Sequence, residues 1–170
     1  MTQISDLRHH ERLTSNRTLR LFAALTVIFS ILLAWRWTAR GLDGWTITSL
    51  IFTLVFLFYT INYRVLLIDL TPQSLKLKFG LFNWTVPLEN IAAIRLDNLP
   101  ALKRYGGAGI HFMFVDGRYR ASFNFLEYPR IVVAFKHKVG PVIDLSFSTR
   151  QPERLIELIR TAISPKELSR

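Results

Sequence analysis

"LRLFAALTVIFSILLAWRW" (Leu19–Trp37) and "WTITSLIFTLVFLFYTINY" (Trp45–Tyr63), parted only by "TARGLDG", decide the class of this chain. Each run approaches the ~20 residues that a helix needs to cross a hydrocarbon core of ~30 Å. The second run carries no charge. The first carries only Arg20 and Arg36, close to its ends, where long cationic side chains reach back to headgroups. Trp35, Trp37 and Trp45 gather at one boundary, and Tyr59 and Tyr63 at the other, the placement of interfacial aromatic belts. A cleaved leader fits the first run poorly, because a long polar tail precedes it and "WRWTARG" offers no small-x-small cleavage site. The short connector forces an antiparallel hairpin. The expected membrane-interface anchors are Arg20, Trp35, Arg36, Trp37, Trp45 and Tyr63.

Composition agrees. Half of the 170 residues are hydrophobic, yet the formal net charge is +10. A chain both apolar and basic points to a membrane protein before a nucleic-acid binder. There is no cysteine, which excludes disulfides, thiolate metal sites and cysteine nucleophiles. The tail holds Arg8, Arg12, Arg17 and Arg20, whereas the connector region has Arg36 and Arg40 against Asp43, and Arg64, Lys76 and Lys78 follow the second run. The positive-inside rule therefore predicts both termini in the cytoplasm of a multi-pass chain. The expected boundaries are a cytoplasmic tail over 1–18, spans over 19–38 and 45–63, an external loop over 39–44, and a cytoplasmic domain over 64–170.

Within that domain "RVLLIDLTPQSLKLKFG" reads as two strands about Thr71-Pro72-Gln73, since Leu75, Leu77 and Phe79 alternate with Lys76 and Lys78. "NWTVPLENIAAIRLDNL" adds two strands with a break at Pro87. "GIHFMFVDGRYRASFNF" turns at Asp116-Gly117, and "RIVVAFKHKVGPVIDLSFS" at Val139-Gly140-Pro141. The period then changes. "STRQPERLIELIRTAIS" opens with Ser148 or Thr149 as capping candidates and Pro152 in the first turn, and Leu155, Ile156, Ile159 and Ile163 form one apolar face. Roughly seven short strands and one closing helix result.

Two phrases go further: "LIDLTPQSLKLKFGLFNWTVPLENIAAI", with its Gly-then-apolar turn and Pro-Leu-x-x-Ile step, and "RYGGAGIHF…RIVVAFKHKVGPVIDLSFSTRQPERLIELI", with its Tyr-Gly-Gly-x-Gly-Ile segment and late Ser-Thr-x-x-Pro-Glu-x-Leu helix start. In these, and in the hairpin ahead of them, the chain resembles the prokaryotic PH-like (pleckstrin-homology-like) membrane protein family. His111 departs from the pattern, standing where an Arg is expected after the Gly-Ile. The resemblance implies an α+β membrane protein: a transmembrane α-hairpin followed by a small antiparallel PH-like β-barrel closed by a C-terminal helix. It implies little about activity.

The glycines of "KRYGGAGIHF" (103–112) invite a phosphate-loop reading, which the context refuses. A phosphate loop runs from strand to helix and ends in Gly-Lys-Ser/Thr, whereas these glycines precede a strand and no such tripeptide occurs. Glycines that let a strand bend or pass close to another backbone explain the pattern. Lys103, Arg104 and Tyr105, in an apolar-cationic loop of a tethered domain, are the candidate lipid-surface contacts. His9 and His10 are adjacent and point apart, and His111 and His137 lack metal-ligand spacing, so no metal site is expected. The Asp residues are scattered. The phrase "RYRASFNF" interleaves cations with aromatics, but alternation sends Phe123 and Phe125 to the core and not onto bases. No enzyme activity, cofactor, nucleotide or nucleic acid is expected. The expected role is a membrane-anchored binding or assembly module, an accessory or scaffold subunit working among membrane lipids with a protein partner or as a homo-oligomer. The alternative is a reader of anionic lipid headgroups or a regulator of membrane transport.

Overall fold

The computed structural model describes residues 9–100 and 107–164. Two long helices form the hairpin, α1 (Asn16–Arg40) and α2 (Gly44–Asn62). Each has a side-chain N-cap: Ser15 Oγ accepts from Thr18 N at 3.0 Å, and an Asp43 oxygen accepts from Thr46 N at 2.7 Å. The Arg36 guanidinium meets Asp43 at 2.6 Å and closes the turn. Both helices are long and apolar enough to cross a membrane, and only 6% of the most apolar window of each is buried by protein. Their hydroxyls are satisfied internally. Thr26, Ser30, Thr53 and Thr60 donate to carbonyls one turn back, and the Thr26 and Thr60 hydroxyls meet between the helices at 3.3 Å.

Nine strands make two sheets among the described residues. The first sheet has the order β1 (His9–Thr14), β2 (Val65–Leu70), β3 (Ser74–Phe79), β4 (Phe82–Pro87), antiparallel throughout. The second has the order β5 (Ile91–Leu96), β8 (Arg130–Val139), β9 (Val142–Ser148), β7 (Arg118–Asn124), β6 (Gly109–Val115). Its β7–β9 pairing is parallel, so this sheet is mixed where sequence alone predicts antiparallel pairing. The turns fall where the sequence places them, with Asp116 and Gly117 at φ 52° and 76°, the left-handed pair that a two-residue hairpin turn requires.

What reads as tail in the sequence is partly strand. Thr14 opposes Val65 and His9 opposes Leu70, so the whole helical hairpin is inserted between two neighbouring antiparallel strands. Both ends of the hairpin consequently meet the same end of the first sheet.

One face of each sheet builds the core. Leu66, Ile68, Leu75, Leu77 and Phe79 face Phe123, Phe125, Leu145 and Phe147 across it. The barrel implied by the family resemblance does not close: among the described residues no pairing joins β1 to β5 or β4 to β6. The sheets leave two open seams along those edges. The last helix, α3 (Pro152–Ile163), fills the first. It starts beside β1, where Glu11 accepts from the Thr149 hydroxyl at 2.6 Å and from Arg150 N at 2.7 Å. From there it packs on β5, β8 and a 3₁₀ turn at Leu88–Asn90, and it buries Leu155, Ile156 and Ile159 in the core. Burial of each such side chain stabilises by about 1.5–3 kcal/mol. Neither expected capping residue caps this helix. Gln151 is the N-cap but makes no side-chain capping bond, its Oε1 instead accepting from Arg154 Nη1 at 3.2 Å, while Ser148 Oγ bonds the Phe125 backbone and Thr149 Oγ1 accepts from Gln151 N at 3.1 Å.

Domain and hairpin are packed together. The Tyr63 ring, 8% exposed, lies 4.9 Å from Tyr59 and 5.1 Å from Phe79. Gly80, at φ +59°, abuts the end of α2, and a Cβ there would stand 2.4 Å from the Asn62 carbonyl oxygen. Leu81 N donates to Asn62 Oδ1 at 3.2 Å. On the other side Ser15 Oγ donates to Glu127 at 2.7 Å, and the Tyr128 hydroxyl to the Thr14 carbonyl at 2.8 Å.

Candidate interaction surface

The histidines do not assemble a site. His10 pairs with Asp69 at 2.5 Å, His9 lies 3.6 Å from Glu11, His111 bonds the Ala108 carbonyl at 3.1 Å, and His137 is exposed on β8. Among the described residues there is no group of three or more His, Asp or Glu that could hold a metal. Lys103, Arg104 and Tyr105 lie outside the described residues. Their flanks are placed: Leu99 accepts from the Arg130 guanidinium, and Gly109, at φ +119°, sits beside the Tyr63 ring and the His111 imidazole. Gly109 thus opens a strand entry that an L residue would strain, as the structural reading of the glycines holds.

Of the expected anchors, Trp35, Trp37, Trp45 and Arg20 are exposed and Arg36 is held by Asp43. Tyr63 instead turns inward, because it is the ring that joins α2 to the domain core.

The outward face of the second sheet is polar and yet buried at its centre on β7 and β9, with Arg118 at the exposed margin. Arg118 Nε reaches both Asp144 oxygens at 3.0 and 2.9 Å and its Nη2 reaches Oδ1 at 2.7 Å, while Arg120 Nη2 lies 3.2 Å from Oδ2. Burial is the largest influence on the Asp144 carboxyl and pushes its pKa up. The hydrogen bonds and charges of Arg118 and Arg120 together outweigh it and hold the group below the usual carboxylate range. Beside this trio the Asp97 carboxylate accepts from Ser146 Oγ at 2.8 Å and Leu99 N at 3.2 Å. Each carboxylate is spanned by cations or donors along neighbouring strands, the arrangement of a structural ion network.

The second seam is different. Among the described residues β4 and β6 each pair on one side only, so both carry a row of backbone donors and acceptors with no described strand opposite. Side chains between and beside these edges are large, apolar and exposed: Leu81 at 75%, Phe112 at 51% and Phe114 at 73%. Trp84 bridges the two edges, 6.3 Å from Phe112 and 6.1 Å from Phe123. At the end of the seam farthest from the helices, a hollow of about 590 Å³ is walled by Phe114, Tyr119, Pro141 and Ile143, with Arg118 and Lys138 at its rim. Rings connect the seam inward without a break, from Trp84 through Phe123, Phe79, Tyr63 and Tyr59 to Phe22 on α1.

Comparison with known proteins adds no relative: no family model, curated protein or solved structure matches the chain.

Proposed function

We propose that this protein is a membrane-anchored, non-enzymatic binding module, in which a PH-like domain at the cytoplasmic face of an inner membrane presents the β4/β6 seam to a protein partner. The observation that carries the reading is the seam itself: two strand edges with no partner strand among the described residues, bracketing exposed aromatics, in a molecule that covers its other seam with a helix. Open edges of this kind bind by adding a strand. The exposed apolar surface of α1 and α2 supports a bilayer as their surroundings, and the arginines before α1 support the cytoplasmic side for the domain.

The occupant is an extended segment of another membrane protein, running toward the bilayer. β4 starts beside Asn62 and β6 beside Tyr63, so both run away from the hairpin. A strand that pairs antiparallel with them must run toward it, as β1 does on β2 before continuing into α1. A second copy tethered to the same bilayer would bring its own β4 or β6 alongside in the parallel sense, the less stable pairing. Lys138 at the far end favours a segment that begins with a carboxylate and continues with alternating apolar residues.

The test is purification of the tagged full chain from its own membrane, followed by native mass spectrometry. A stoichiometric protein retained by the wild type and lost from the double variant Phe112→Lys/Phe114→Lys supports the reading, and hydrogen exchange should then slow in β4 and β6 on binding. Retention of the same protein by that variant would sink it.

A further inference from the structure

The passage from α2 to β2 takes two residues, and they face opposite ways. Tyr63 turns into the core and Arg64 is exposed. β2 then alternates, with Leu66, Ile68 and Leu70 fully buried and Val65, Leu67 and Asp69 half-buried on the outward face of the first sheet. Leu67 is opposed by Arg12 on β1 and by Lys78 on β3, so one row across the sheet reads Arg12, Leu67, Lys78. Next to that row is a hollow of about 230 Å³ with an apolar floor of Ile61, Val65 and Leu67, and with Arg64 and Lys78 on its walls.

None of these three cations has an ion-pair partner among the described residues, and the acid on the same face, Asp69, is engaged by His10 at 2.5 Å. Unpaired cations around an apolar floor are costly neighbours for one another and a ready site for an anion with an apolar body. Their depth identifies which anion. The row lies three residues past Arg64, at most ~10 Å along a strand, and Lys and Arg side chains reach back over most of that distance toward the end of α2. If α2 crosses the bilayer, this is the level of the lipid headgroups. Ile61, 67% exposed on the last turn of α2, continues the apolar floor toward the acyl chains.

We infer that Arg64 and Lys78, supported by Arg12, form a binding site for one anionic phospholipid of phosphatidylglycerol type, with its phosphate between the two cations and a chain along Ile61. The inference rests on the membrane reading of the hairpin and is independent of the β4/β6 seam.

The test uses the full chain in detergent, titrated with phosphatidylglycerol or with phosphatidylcholine of the same acyl chains and read by native mass spectrometry. The expected result is a one-lipid adduct with phosphatidylglycerol that exceeds the phosphatidylcholine adduct. Arg64→Ala and Lys78→Ala should each weaken it about five-fold, the worth of one cation near an anionic lipid. Lys136→Ala, an exposed cation on β8 away from the site, should leave it unchanged. All three residues are exposed, and thermal melts of the variants check that the fold is intact. Equal retention of both lipids, or a loss with Lys136→Ala as large as with Lys78→Ala, would overturn the site. Full competition by soluble glycerol phosphate at equal concentration would overturn the lipid as its ligand. Release of the chain from native membranes by alkaline carbonate would fail the membrane reading itself, a result distinct from loss of lipid selectivity.

Discussion

The two seams of this sandwich are built from the same parts and end differently. At the β1/β5 seam α3 supplies Leu155, Ile156 and Ile159, and Glu11 fastens its entry through Thr149 and Arg150. At the β4/β6 seam nothing among the described residues is supplied, and Phe112 and Phe114 stand in the open. A five-stranded sheet over a four-stranded one overhangs by a strand, and here the overhang is β6. The first seam therefore contributes to stability, and the second leaves its apolar side chains exposed. Replacements along the two seams should separate in kind: stability lost at one, binding lost at the other.

The largest expected effect lies at neither seam and serves as the reference. Asp144 and Arg120 are each 1% exposed, and Asp144→Asn withdraws the charge that Arg118 and Arg120 share. Breaking a buried pair from one side costs about 3–5 kcal/mol. The pH dependence has a definite sign. The Asp144 pKa is lowered in the fold, so its contribution is complete above about pH 4, where an unfolded Asp is also ionised, and is lost as pH falls through the lower folded value. Denaturant melts should find the wild type losing its advantage over Asp144→Asn in that acid range. A gap between the two that stays constant down to pH 2 would contradict the assignment.

Next comes the closed seam. Leu155 is fully buried, and Leu155→Ala should cost about 2–5 kcal/mol by transfer and cavity terms. Partner retention should survive under conditions where the variant remains folded. Loss of partner from a folded Leu155→Ala protein would instead place the binding surface at α3 and reverse the comparison.

The closed seam was the more legible of the two in the sequence. Pro152 and the spacing of Leu155, Ile156 and Ile159 announce α3, and the two apolar runs announce α1 and α2. The strand β1 leaves no comparable trace. Its buried side chains are His9, Glu11 and Leu13, two of them polar, and Glu11 is tolerated inside only because residues more than a hundred positions away donate to it. Alternation cannot reveal such a strand, since the partners that make it buried are not local. The parallel pairing of β7 with β9 is hidden for the same reason. Phe112 and Phe114 follow the alternation of a core-facing strand, and only the sheet widths place them outside. The lipid contacts expected at Lys103 and Arg104 fall outside the described residues, whereas Arg64, Lys78 and Arg12 come together through register across three strands, which a linear reading does not display.

The smallest expected stability effect is the sharpest test of the contrast. Phe114 is 73% exposed, and its one close ring neighbour among the described residues is Tyr119, with centroids 4.9 Å apart on the paired strand β7. Truncation of a side chain already in solvent removes little burial, so Phe114→Ala should change stability by only about 0.5 kcal/mol. A cross-strand aromatic pair contributes at most about 1 kcal/mol, and that bounds the effect from above. Yet aromatic anchors at the centre of an interface each cost about 2 kcal/mol or more when truncated, some thirty-fold in affinity. The same substitution should then leave the melt of the isolated protein almost unmoved and strip the partner from it. An exposed Phe on an unpaired edge is otherwise a liability for aggregation, so its retention on β6 is intelligible if something in the membrane habitually covers it.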